Sequence, residues 1–157
     1  MAIRMGLNET TASVIGAVCL LLAGSAHATL GGARGTVEAD RSHLSARLSA
    51  LPSRTYTVEV LTLANGGVVR EYVRGDGAVF AVAWRGPARP DLRQLLGNRF
   101  DVVQADNILP GGRRTRRPLA VRRPDFIVHS GGHSGAFWGV AYLPLLAPPG
   151  FSASELH

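Results

Sequence analysis

The sequence predicts an α+β fold in which an antiparallel β-meander sheet of five or six strands carries one or two short packed helices. Three observations lead to this prediction. β-Branched runs in near alternation are separated by glycine-rich turns, which is typical of antiparallel strands joined by hairpins. Only short stretches show apolar residues at helical spacing. The chain has 157 residues, which is the length of one ordinary domain.

Residues 1–28 have the pattern of a cleavable signal peptide. Residues 14–22 form an apolar run as long as a signal h-region, and residues 26–28 (AHA) offer small residues at both positions that a signal peptidase reads. The run is too short for a permanent membrane span, although a retained anchor is the alternative. We therefore expect a periplasmic or secreted protein whose mature part, residues 29–157, is a single domain with no transmembrane segment.

The mature part has no disulfide and a strongly basic balance. The only cysteine, Cys19, lies inside the apolar run, so the core must stabilise the domain by itself. The net charge is +6, and all 17 basic residues are arginines. A coding bias that also favours Ala and Gly accounts for most of them. Recognition of anions is the alternative, because a guanidinium binds carboxylate or phosphate in a bidentate manner.

The first predicted element is an amphipathic helix over residues 36–48. Val37, Leu44 and Leu48 share one face at helical spacing, and two acids lie in the first turn, where the helix dipole favours them. His43 lies beside the apolar face, and we interpret it as a half-exposed helix residue rather than a ligand. Pro52 follows the helix.

Three strands and two tight turns come next. Residues 55–63, 68–74 and 78–85 are rich in β-branched and apolar side chains. The turns between them, Asn65-Gly66-Gly67 and Gly75-Asp76-Gly77, contain residues that accept positive φ at low cost. This part of the chain is predicted to be a three-stranded meander.

Both faces of this meander are largely apolar, so we expect cover on both sides. Residues 91–96 are predicted to form a helix that Asp91 caps. The small side chains of Ala81 and Ala83 leave room for that helix to pack on their face. Glu59 and Glu71 interrupt the apolar pattern.

Arg70 and Arg74 are the expected partners of those two glutamates, at the sheet rim. Aromatic side chains at strand spacing are typical of a core, because each buries a large area, although they could line a ligand groove. These aromatic residues are Tyr56, Tyr72, Trp84, Trp138 and Tyr142.

The remaining strands are predicted at residues 119–121, 126–129 and 136–143, with a tight connection over residues 130–135. Residues 107–123 read as a flexible arginine-rich loop, because Pro, Gly and Arg dominate their composition.

Six blocks of the sequence stand out together. They are ATLGG at 28–32, VREYV at 69–73, VFAVAWRGP at 79–87, PDLRQLLG at 90–97, SGGH at 130–133 and AYLP at 141–144. In this order they resemble the uncharacterised family of short exported proteobacterial proteins known as domain of unknown function twenty-eight forty-four. The resemblance covers nearly all of the mature part and implies export and a single domain, but no activity and no site residues.

An arginine cluster is the strongest candidate binding feature. Such a run could dock on an anionic envelope polymer, a lipid headgroup or an acidic protein patch. No aromatic residue is interleaved for base stacking, so we expect no specific nucleic acid as partner. A solvated loop without a ligand is the alternative. The six arginines are Arg113, Arg114, Arg116, Arg117, Arg122 and Arg123.

A polar cluster at His129, Ser130, His133 and Ser134 is the second candidate. Two histidines across a turn could bind zinc, but a zinc site needs three or four ligands, and Asp125 is the only acid nearby. The residues around Ser134 depart from a nucleophile elbow, because that motif has Gly two positions after the Ser. We therefore predict no metal and no cofactor.

The leading hypothesis is a non-enzymatic binding or scaffold protein of the bacterial envelope, with an unknown envelope protein or anionic envelope polymer as partner. One alternative is an anion-binding protein that acts through the arginine-rich loop. The other is a small exported hydrolase or metal-dependent enzyme that uses His129, His133 and Ser134.

Overall fold

The computed structural model describes residues 30–107 and 118–156. These residues form one sheet of seven strands with three α-helices and two short 3-10 turns, so the α+β class fits and the predicted five or six strands were one or two too few. The elements are α1 (Gly35–His43), β1 (Arg47–Pro52), β2 (Tyr56–Thr62), β3 (Val68–Arg74), β4 (Val79–Gly86), α2 (Leu92–Leu96), α3 (Arg99–Asp106), β5 (Leu119–Arg122), β6 (Ile127–His133), β7 (Ala136–Tyr142) and 3-10 turns at Pro144–Leu146 and Ala153–Glu155.

The strands lie in the order β1-β2-β3-β4-β7-β6-β5, and every neighbouring pair is antiparallel. The predicted meander is confirmed as β2, β3 and β4. Gly66 and Gly77 have φ of +82° and +90° in its two turns, and glycine takes that backbone conformation without steric cost. Because β7 returns beside β4, the two halves of the chain form a single continuous sheet.

Strand β1 was not predicted, because the first helix was expected to continue to Leu48 and residues 49–52 were assigned to no strand. Helix α1 ends at His43, and Ser45 then takes a positive φ of 49°. Leu48 pairs with Leu61 as part of an edge strand whose side chains are all exposed. An exposed edge strand needs no apolar alternation, so the sequence carries little sign of it.

The connection predicted over residues 130–135 was also too long. Strand β6 continues to His133, and only Ser134 and Gly135 form the turn into β7. Gly132 has φ of +111°, and a Cβ at this position would lie 2.1 Å from the backbone oxygen of Ala136. Glycine therefore lets the strand pass through a point where no side chain fits.

The sheet has two faces, which we call the helix face and the open face. The helix face carries the larger core, in which apolar strand residues pack with Val37 of α1, Leu95 of α2 and Val103 of α3. The open face carries a second core, in which Tyr72 and Phe80 pack with Leu156. This second core leaves the other half of the open face without cover from the described residues.

Helix α2 packs on the face opposite to the one predicted. Its leucines share a core with Val82 and Trp84, whereas Ala81 and Ala83 belong to the open face. A β-bulge is part of the reason. Tyr72 pairs with Ala81 and Val73 pairs with Val79, so Phe80 is an extra residue in β4. Because of this extra residue, Val79 lies on the helix face and Ala81 lies on the open face.

The residues after β7 cover one half of the open face. Phe151 packs on Phe80 with ring centroids 5.0 Å apart. The Tyr56 hydroxyl donates to Glu155 Oε2 at 2.5 Å, and the Tyr72 hydroxyl donates to the Glu155 carbonyl oxygen at 3.2 Å. Within residues 30–107 and 118–156, no helix combines the length and the apolar character that a membrane crossing requires.

Candidate functional site

The acidic and the basic side chains of the strands lie on opposite faces of the sheet. Residues that pair across an antiparallel sheet share a face, so the register fixes the side of each one. Glu59 and Glu71, the only strand carboxylates, lie directly opposite each other on the helix face. The strand arginines all fall on the open face, in register with open-face residues such as Val60 and Tyr142. These arginines are Arg47, Arg70, Arg74, Arg85 and Arg122.

The two strand glutamates belong to a buried polar cluster under the helices. Gln94 of α2 donates its side-chain amide to Asp40 Oδ1 of α1 at 2.5 Å. Arg34 donates to Glu59 Oε1 at 2.6 Å. Burial raises the pKa of Glu71 to about 9, and the nearby carboxylates of Asp40 and Glu59 add to this rise. Glu71 therefore keeps its proton at neutral pH.

Most of the other described carboxylates are also engaged by hydrogen bonds or ion pairs, and Glu155 alone of these lies over the covered half of the open face. Arg74 pairs with Asp76 in the adjoining turn. Asp106 and Asp125 hold Arg123 and Arg99 at 2.8 and 2.7 Å. Glu155 accepts from Tyr56. Further ion pairs join Arg41 to Glu38, His43 to Asp91 and Arg93 to Asp101.

Six arginines have no carboxylate within 4.0 Å among the described residues. Four of the six lie on the open face by register, in β1, β3, β4 and β5. No Asp or Glu occupies an open-face position of the seven strands. A surface of this kind attracts anions. The six arginines are Arg47, Arg54, Arg70, Arg85, Arg89 and Arg122.

Trp138 adds an aromatic surface to the uncovered half of this face. It pairs directly with Arg85 of β4, and 38% of its surface is exposed. A Cβ on Gly131 would lie 3.2 to 3.4 Å from three neighbouring indole atoms. The indole ring therefore covers Gly131 with one face, while His129 meets it in a T-shaped contact at 5.5 Å.

A groove of about 410 Å³ lies beside Trp138, where β4 ends and β7 begins. Arg85, Pro87, Phe137 and Trp138 are among its lining residues. The Arg89 guanidinium lies over the Phe137 ring at 5.3 Å. The groove thus combines cationic and aromatic groups, and its volume lies in the range of small-molecule sites.

The arginine cluster predicted as an anion site is divided. Arg113, Arg114, Arg116 and Arg117 lie outside the described residues. Arg122 is exposed on the open face, whereas Arg123 donates two hydrogen bonds to the Asp106 carboxylate, at 3.2 and 2.8 Å. Arg122 and Arg123 therefore do not form one binding surface.

The polar cluster predicted at residues 129–134 does not converge. The Ser130 hydroxyl is buried on the helix face and donates to the Trp138 carbonyl oxygen at 2.8 Å. His129 lies on the open face, and His133 is about 13 Å farther along the same strand, as four extended residues require. His133 Nδ1 lies 3.0 Å from the carbonyl oxygen of the turn residue Ser134. Within the described ranges, no three potential metal ligands come together.

Sequence reasoning missed the open-face site because it paired Arg70 and Arg74 with the two strand glutamates. In the strand VVREYVR, alternation places Arg70 and Glu71 on opposite faces. That alternation was the available signal. Trp138 was assigned to the core with four other aromatic residues, which are indeed buried or half-buried.

The fold and the charge pattern together define an α+β protein with one antiparallel sheet, helices on one face and a basic, partly uncovered second face. The chain belongs to the family described as protein of unknown function DUF2844, whose family model matches residues 26–156. Neither the curated proteins nor the solved structures contain a match to it.

Proposed function

We propose that this is a non-enzymatic binding protein of the bacterial envelope that holds an anionic polymer on the uncovered half of its open sheet face. The observation that carries the proposal is the sorting of charge across the sheet. The strand carboxylates lie under the helices, and the strand arginines lie on the opposite side.

The open face carries arginines that have no carboxylate within 4.0 Å among the described residues. A guanidinium on a sheet face close to apolar neighbours is partly desolvated, so an incoming anion gains more there than at a fully hydrated loop. Arg70 is such a group, because it is half-buried between Val60 and Ala83. Arg85 and Arg47 extend the positive surface along the neighbouring row.

A broad, shallow surface suits a polymer better than a single small anion. The arginines belong to β1, β3, β4 and β5, so they are spread across most of the width of the sheet. Neighbouring strands are about 4.8 Å apart, and an extended polyanion can therefore contact several of them at once. Each contact releases counterions from the polymer, which makes binding depend on salt.

The location is part of the proposal and rests on the N-terminal sequence. Residues 1–28 have the apolar run and the small residues of a secretory signal. An exported protein meets the anionic polymers of the envelope rather than cytoplasmic nucleic acid. The envelope partner proposed here is accordingly a polymer with carboxylate, phosphate or sulfate groups.

The test compares two double variants that change the net charge equally. Arg70→Ala/Arg85→Ala removes two open-face cations. Arg41→Ala/Arg93→Ala removes two exposed cations of α1 and α2, on the other side of the sheet. Binding to poly-L-glutamate and to polygalacturonate is measured by fluorescence anisotropy of the labelled polymer between about 50 and 200 mM salt.

The open-face variant is expected to bind both polymers at least tenfold more weakly, with a shallower dependence of affinity on salt, because two ion contacts are lost. The helix-side variant is expected to bind as the wild type does. Equal losses in the two variants would mean that only net charge matters and would overturn the proposal. Circular dichroism of both variants confirms that the fold is retained.

A further inference from the structure

We propose that the polymer is an acidic carbohydrate and that Trp138, with Arg85 beside it, forms the subsite for one of its charged sugar rings. This inference rests on the anion-binding function proposed above and names the chemical class of the ligand. The observation that indicates a sugar is the exposed indole of Trp138, because anion binding alone needs only the arginines.

Contacts with β6 fix the orientation of the Trp138 indole. Gly131 lies under the ring and has no side chain, so the indole packs directly on the backbone of β6. The contacts of one ring face with the strand leave the opposite face toward solvent, in agreement with the 38% exposure of Trp138. His129 meets the indole in a T-shaped contact and so limits its rotation.

The exposed face of the Trp138 indole is suited to bind a sugar ring. The face of an aromatic ring is electronegative, so it attracts positively polarised hydrogens. The axial C–H groups of a pyranose ring have this polarity and lie on one flat side of the sugar. A sugar placed on the indole therefore gains apolar contact, while its hydroxyl groups remain in water.

Arg85 lies where it can bind the carboxylate of a sugar that stacks on Trp138. Arg85 is paired with Trp138 across β4 and β7, which places the two side chains next to each other on the open face. A carboxylate on a sugar that stacks on the indole lies within reach of the guanidinium, which can bind it in a bidentate manner. The residues that line the groove, 85–87 and 135–138, include no Asp or Glu to compete for Arg85.

Isothermal titration calorimetry compares the wild-type mature protein with Trp138→Ala. The two ligands, trigalacturonate and triglutamate, are trimers that both carry carboxylate groups. Galactotriose serves as the neutral sugar control. Trp138→Ala is expected to weaken trigalacturonate about tenfold, in line with the contribution of a stacked aromatic contact. Its affinity for triglutamate should change less than twofold, and galactotriose should bind far more weakly than the acidic sugar.

A second readout comes from the tryptophan itself. The chain has two tryptophans, and Trp84 is buried on the helix face. Trigalacturonate should therefore change the emission of the wild type, and Trp138→Phe should abolish most of that change while keeping an aromatic platform. Equal losses for trigalacturonate and triglutamate in Trp138→Ala would overturn the carbohydrate subsite and leave anion binding intact. If neither ligand bound the wild type, both proposals would fail.

Discussion

Glu59 and Glu71 lie directly opposite each other on β2 and β3, with 4% and 1% of their surfaces exposed. Two like charges in this position would destabilise a sheet. The structure avoids that repulsion in two ways. Glu59 accepts a hydrogen bond from Arg34, and burial beside the Asp40 and Glu59 carboxylates keeps Glu71 protonated. The first two predictions below follow from this arrangement.

Stability should decrease as the pH rises from about 5 to about 9. The pKa of Glu71 rises from 4.5 to about 9 on folding, so the folded protein holds a proton that the unfolded chain releases. The stabilising effect is complete below pH 4.5 and is lost as the pH approaches 9, by at most about 1.4 kcal/mol for each pH unit. Urea denaturation across this range measures the slope.

Glu71→Gln should flatten that slope and raise the stability at pH 8, because the amide cannot release a proton. Glu38→Gln is the control, since Glu38 is an exposed carboxylate paired with Arg41. It should leave the slope between pH 5 and pH 9 as in the wild type. An unchanged slope in Glu71→Gln would show that Glu71 does not titrate in this range.

Arg34→Ala should destabilise the fold by about 1 to 3 kcal/mol, because it leaves the buried Glu59 carboxylate without its partner. Exposure of 60% of the Arg34 side chain keeps the expected loss below that of a fully buried ion pair. Arg41→Ala, which breaks an exposed pair, should have no measurable effect. Thermal unfolding at pH 7 makes the comparison.

Adding Glu59→Gln to Arg34→Ala gives an internal check on the same pair. The double variant should recover much of the lost stability, since the uncompensated charge is gone. A double variant as unstable as Arg34→Ala would show that packing of the arginine, rather than its charge, stabilises this corner of the fold.

Gly139→Ala should disturb the helix-face core. A Cβ at this position would lie 2.2 Å from the Trp84 ring, so the indole has to move. The expected cost is about 1 to 3 kcal/mol, with an altered near-ultraviolet circular dichroism signal from the displaced tryptophan. Gly35→Ala in α1 is the control, because its Cβ would meet nothing within 4 Å. A wild-type spectrum in Gly139→Ala would contradict the position assigned to Trp84.

The β2–β3–β4 meander could be predicted because its signals are local. The turns at residues 65–67 and 75–77 contain glycines that the backbone requires, and the runs between them have strand composition. Helix α2 was predicted for the same reason, since Asp91 accepts from the backbone N–H groups of Arg93 and Gln94. Strand β1 lacked such a signal, because it lies exposed at the edge of the sheet.

The faces could not be assigned from alternation alone. A single extra residue, Phe80, shifts the pairing of β3 with β4, and the sequence contains no mark of the bulge. The candidate site on the open face could not be predicted either, because it also depends on strand pairing. Arg85 and Trp138 become neighbours only through the pairing of β4 with β7, which are about fifty residues apart in the chain. The exposure of Trp138 depends in turn on Gly131 in a third strand.

The central claim is that an anion binds the uncovered half of the open face, and chemical-shift mapping tests it most directly. Isotope-labelled protein is titrated with hexaglutamate while backbone amide resonances are followed. We expect the largest shifts at open-face residues around Arg70 and Arg85, such as Val60, Val68 and Trp138, with α1 and α2 unaffected. Shifts that concentrate on the helices, or only on residues 108–117, would contradict it.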